Sequence, residues 1–194
     1  MDNKKLIGTI LGVIAFIALI AGATFAWLTI TANVTNSSYS IKTMNFSVNF
    51  TKGTNVTEVP IVVTPTTTNT KSLSVKANKI TGSAPGKLTI YLNTANTTSQ
   101  TLLTSGVLHY AVCIGTCTGT RNLSVASNVS STGSVTGTVT NADSLKLALL
   151  SDTELQSSAT TYNIYFWLDS ATVDETIMGE TYTGYISAEA QQHD

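Results

Sequence analysis

Cys113 and Cys117 are the only cysteines in the chain, and their spacing limits the chemistry open to them. The three residues between them include Gly115, which suits a hairpin tip that brings the two sulfurs together. In an oxidising compartment such a pair forms a local disulfide; where it is kept reduced it remains two free thiols. Metal binding meets a shortage of ligands. Structural zinc takes four N or S donors, and His109 is the one imidazole nearby in sequence. A bridge over so short a loop holds local shape and adds little to global stability on the chain-entropy account.

The remaining reactive groups are few. The histidines are His109, inside an alternating stretch, and His193, next to the C-terminus. Zinc peptidases set two His one helical turn apart with a Glu as base, and neither histidine here has such a partner. Serine chemistry needs a His base beside the nucleophile, and no Ser lies in a Gly-x-Ser-x-Gly elbow. His109 therefore reads as a half-exposed strand residue. Asp143 with Asp152 and Glu154, and Asp169 with Asp174, Glu175 and Glu180, are the acidic groupings. The second offers oxygen ligands of the kind calcium takes, but not at EF-hand spacing; solvated turn carboxylates are the simpler reading. No catalytic, cofactor or metal site is expected, and the chain reads as a non-enzyme.

What surrounds these groups is a chain of low charge. Charged residues make up 11% of it and the net charge is −1, against roughly 25% charged in ordinary soluble domains. Thr and Ser, above a quarter of the residues, supply the polarity instead. Nucleic acid is excluded as a partner, because binding phosphate takes a concentrated basic patch. The Val, Ile, Thr and Tyr content suits pleated sheet rather than disorder.

The N-terminus carries its own signal. Lys4 and Lys5 precede an uncharged apolar run from Leu6 to Ala23, which closes in Gly22-Ala23-Thr24-Phe25-Ala26-Trp27. A positive head, an apolar middle and small residues at the end make a secretory signal, with signal peptidase as its partner. Small residues permit a cut after Ala23 or between Ala26 and Trp27, the second being preferred. The run is also long enough to span a bilayer of roughly 30 Å as a helix and serve as a retained anchor. Either way, residues 27–194 are expected outside the cytoplasm, with membrane contact only through the N-terminal segment.

Alternation dominates those residues, and a period of two marks half-buried strands. Leu28, Ile30, Ala32 and Val34 share one face; Met44, Phe46, Val48 and Phe50 repeat the pattern before a turn at Lys52-Gly53-Thr54-Asn55. Further strands follow at Leu73, Val75 and Ala77, and at Leu88, Ile90 and Leu92 after a loop from Gly82 to Gly86. Leu108, Tyr110, Val112 and Ile114 come next, then Tyr162, Ile164, Phe166 and Leu168, and last Ile186, Ala188 and Ala190. Ala142 to Leu150 fits a short capped helix or a strand, and Ser124 to Thr140 an exposed hairpin or a loop. Many short strands with one apolar face each predict an all-β chain. It forms a single two-sheet sandwich of jelly-roll or immunoglobulin-like type, preceded by the hydrophobic signal or anchor helix. The eight Asn-x-Ser/Thr triplets, among them Asn33, Asn36, Asn45, Asn96 and Asn122, are what this composition produces by chance.

Two segments carry a family resemblance. Gly22-Ala23-Thr24-Phe25-Ala26-Trp27-Leu28-Thr29 resembles the leader of Gram-positive surface proteins cut by the dedicated signal peptidase SipW, the TasA and camelysin family. Tyr162 to Gln191, with Tyr-Asn-Ile-Tyr-Phe-Trp-Leu-Asp, an acidic loop and Gly-Glu-Thr-Tyr-Thr-Gly-Tyr-Ile-Ser-Ala-Glu-Ala-Gln, resembles the closing strand pair of such proteins. The resemblance implies an exported β-sandwich of the cell surface or extracellular matrix that assembles into filaments. It also implies, through the camelysins, a casein-cleaving metalloprotease label that the ligand shortage argues against. The expected partner is a second copy or another surface protein, reached through an assembly strand of Leu28, Ile30, Ala32 and Val34. A charge at Ile30 is expected to harm assembly more than one at Thr31, on the opposite face. The competing expectation is a membrane-tethered monomeric module of adhesin type.

Overall fold

The computed structural model describes residues 29–33, 39–42, 47–51, 55–56, 59–79, 85–115, 117, 122–124, 129–140 and 144–192. The leader with Ala26 and Trp27 lies outside these residues, as do Leu28, Val34, Met44, Phe46, Lys52 to Thr54, Asp143 and His193. In chain order the first strands are β1 (Thr29–Asn33), β2 (Tyr39–Lys42), β3 (Ser47–Thr51), β4 (Asn55–Val56), β5 (Ile61–Val62), β6 (Lys71–Lys79) and β7 (Gly86–Thr94). A short helix α1 (Gln100–Ser105) precedes β8 (Leu108–Ile114), β9 (Val129–Ser134), β10 (Leu145–Glu154), β11 (Thr160–Asp169) and β12 (Gly184–Gln192).

These strands form two sheets packed face to face, as expected of an all-β sandwich. One runs β1-β12-β7-β10 with β4 also on β12; the other runs β2-β3-β6-β11-β8-β9 with β5 also on β11. β5 lies parallel to β11, whereas β11 pairs antiparallel with both β6 and β8. Alternation explains the layers. Leu88, Ile90 and Leu92 of β7 are fully buried, while Lys87, Thr89 and Tyr91 between them are partly exposed. They face Leu73, Val75 and Ala77 of β6, Leu108 and Val112 of β8, and Tyr162, Ile164 and Phe166 of β11 in one core. Each fully buried Leu, Ile or Phe contributes roughly 1.5–3 kcal/mol of transfer free energy. Among the described residues no helix is long and apolar enough to cross a membrane.

Four details settle or depart from the alternation reading. Residues 145–154 are strand β10, which resolves the choice left open at Ala142 to Leu150. The exposed edge of β7 supplies its backbone partners, and an irregularity between Ala148 and Leu150 lets consecutive Leu149 and Leu150 both be buried. Asn55, placed in a turn from sequence, lies in β4 and pairs with Tyr185. Ile114, assigned to the inward set, is 45% exposed, because the β8–β9 register shifts at Val112/Cys113 and the chain turns at Gly115, φ 76°. The fourth is α1, which alternation does not reveal. It is anchored by buried Leu102 and Leu103 and stopped by Gly106 in the left-handed region, where a residue without Cβ fits best.

Candidate functional site

The expected assembly strand is built around β1. It lies at the edge of its sheet, antiparallel to β12, with Thr29 across from Gln191, Ile30 from Ala190, Thr31 from Glu189, Ala32 from Ala188 and Asn33 from Ser187. Ala188 and Ala190 are fully buried. β12 is thus paired with β7 over its whole length on one side. On the other side β1 takes residues 187–191 and β4 takes Gly184 and Tyr185. The β1 register runs without a shift, whereas the opposite edge, β10 on β7, has two. Of the four residues proposed for the strand, the structure places Ile30 and Ala32 on β12.

The cysteines are joined as a disulfide, Cα atoms 5.5 Å apart. A bridged pair is compatible with an oxidising, extracytoplasmic environment. What spacing did not reveal is where the bridge sits. β8 and β11 are buried on both faces: on the outer face of the seven-stranded sheet, Ala111, Cys113, Tyr165 and Trp167 pack with Cys117 and Leu123 in a second apolar cluster. Cys117 and Leu123 lie over that face, and the hydrogen bonds nearby are Gly115 N–H donating to Thr161 O (2.6 Å), Asn163 Nδ2 to Gly115 O (2.7 Å) and Leu123 N–H to Pro65 O (2.8 Å). Burial raises the pKa of the Tyr165 phenol. A shallow open depression of about 640 Å³ beside this turn is lined by Ile114, Gly115, Ala159, Thr160, Thr161 and Asn163. Asn163, its one amide, is already bonded to Gly115 O.

The other candidates for chemistry are dispersed. His109 is half-buried and its ring stacks on Trp167, centroids 5.7 Å apart and 18° from parallel. Asp169 and Asp174 serve their own turns. Asp169 Oδ1 accepts from Ala171 N–H at 3.0 Å, and Asp174 Oδ1 from Thr176 Oγ1 at 2.6 Å and Thr176 N–H at 2.9 Å. The Thr176 hydroxyl is the main reason the Asp174 carboxyl titrates below its ordinary range. Among the described residues no three His, Cys, Asp or Glu side chains converge as a metal site would need. Compared with protein-family models, with curated proteins and with solved structures, the chain finds no match.

Proposed function

We propose that the chain is an exported structural protein of the cell surface or extracellular matrix, and that copies assemble by lending β1 to the β12 edge of a neighbour. The observation that carries this reading is the position of β1. Among the described residues it is the first strand, lies at a sheet edge and pairs with β12 alone. Its sequence, Thr-Ile-Thr-Ala-Asn, lacks charge and proline, the usual guards of an exposed edge. A donated strand would meet the same acceptors as the resident one. Main-chain hydrogen bonds give affinity and alternate side chains give register, while β4 limits how far an incoming strand can slide. Resident and donated states have nearly equal contacts, so concentration and release of the N-terminus decide between them.

The test is assembly of the purified mature chain, followed by light scattering and electron microscopy. Ile30→Asp, which sets a carboxylate opposite buried Ala190, is expected to abolish polymers; Thr31→Ser, opposite Glu189, is expected to leave them. A wild-type chain that stays monomeric when concentrated rejects the fibre reading in favour of a tethered monomeric module. Assembly of Ile30→Asp at the wild-type level rejects strand donation itself.

A further inference from the structure

The β12 edge presents a carboxylate at a fixed point. Glu189 lies on the outer face of β12, its side chain 14% exposed, and ion-pairs with Lys146 of β10. Lys146 reaches it across the central strand β7, its Nζ 4.0 Å from the Tyr91 ring centroid. In register, Glu189 is flanked by Thr89 of β7 on one side and Thr31 of β1 on the other. Lys87, the next basic residue along, stands opposite Gln191 and is paired on its far side with Glu154. Cβ atoms directly opposite in an antiparallel pair lie about 4.5–5.5 Å apart, and like charges there repel. Any strand on this edge in this register therefore sets one residue against Glu189. A second carboxylate at that point would compete for Lys146, which is already committed.

We propose that Glu189 selects the strand that the β12 edge accepts. The accepted partner is a strand of a second copy that is uncharged or basic opposite Glu189 and apolar at the two flanking positions, which face Ala188 and Ala190. Thr31, between Ile30 and Ala32, meets that requirement. Acidic segments such as the Ser-Asp-Thr-Glu end of β10, at the opposite edge of the same sheet, do not, so mispairing of the β10 edge of one copy with the β12 edge of another is disfavoured. The partner's identity rests on the strand-donation reading; the pairing rule acts equally on the resident strand.

Amide hydrogen exchange across residues 187–191 of the dilute mature chain, with polymer yield at high concentration, tests this. Thr31→Asp is expected to speed exchange about fivefold over its isostere Thr31→Asn and to lower yield. Adding Glu189→Gln should restore both, and Thr31→Lys should exchange no faster than wild type. If Thr31→Asp prevents folding, the swap Thr31→Asp with Glu189→Lys is expected to recover a folded chain. Equal exchange in Thr31→Asp and Thr31→Asn, or no rescue by either change at 189, overturns the selection. A chain that shows the coupling but never polymerises sinks only the fibre reading. Polymer yield as high in Thr31→Asp as in Thr31→Asn sinks only the selection.

Discussion

A single missing side chain decides how β12 begins. Gly184 pairs with Val56 of β4 on one side and Thr94 of β7 on the other. A Cβ there would lie 2.7 Å from Tyr182 Oη and 2.9 Å from the Asn93 carbonyl oxygen. The ring has little room to move aside. Tyr182 is buried, and its hydroxyl and the Thr94 hydroxyl share a 2.9 Å hydrogen bond. Burial also pushes the phenol's pKa up, which keeps it a neutral hydroxyl. Gly184→Ala is therefore expected to cost about 1–3 kcal/mol through overpacking, measured by chemical unfolding. Gly179, at φ 87° with nothing within 4 Å of its would-be Cβ, is the contrasting site: there Ala meets backbone strain but no collision. Wild-type stability in Gly184→Ala would show that β12 starts more loosely than these contacts require.

Among the elements, the cystine turn acts on its surroundings more than on the whole fold. A closed loop this short is worth about 2 kcal/mol on the chain-entropy account, yet Cys117 and Leu123 cover Trp167 and Tyr165. Because both cysteines are buried, thiol labelling of non-reduced protein from outside the cell, unfolded in denaturant, should find no free cysteine; two labelled thiols would sink the assignment. In a Trp27→Phe background, reduction should shift Trp167 emission to the red before the main unfolding transition begins. Much of this architecture was legible from the residues. Leu73-x-Val75-x-Ala77 and Leu88-x-Ile90-x-Leu92 alternate because one face of each strand meets the core, and the structure places both as read. Tyr165 and Trp167 escaped that logic, since a strand apolar on both faces has no period of two, and the row Tyr162, Ile164, Phe166 and Leu168 is the unbroken one whereas theirs is flanked by polar Asn163 and Asp169. Helix α1 is too short to show a period. Its Gln100 is informative only in three dimensions, where Nε2 donates to Gly137 O and Oε1 accepts from Val139 N–H. Likewise Thr31 and Glu189 meet through register, which no local pattern encodes.

At the scale of the molecule, the fibre reading depends on the state of the N-terminus. A donated strand must be free to leave its own sheet, so exported protein is expected to begin at Trp27. Its intact mass should match residues 27–194; a mass that retains Leu6 to Ala23 would instead favour the tethered module. The sheet order carries a further consequence, for the timing of folding. Each sheet has a late strand at its centre: β11 between β6 and β8, and β12 between β1 and β7. Synthesis runs from the N-terminus, so neither sheet can close until residues beyond Thr160, within the last fifth of the chain, have emerged. Long-range pairing of this kind folds slowly and leaves strand edges open meanwhile. Among the described strands β1 is the first to be made and its acceptor the last, and throughout that interval β1 has no acceptor of its own. On the fibre reading, a neighbour whose own β12 edge is free would compete for it, so crowding during emergence, and not only final concentration, would set how many chains join rather than close.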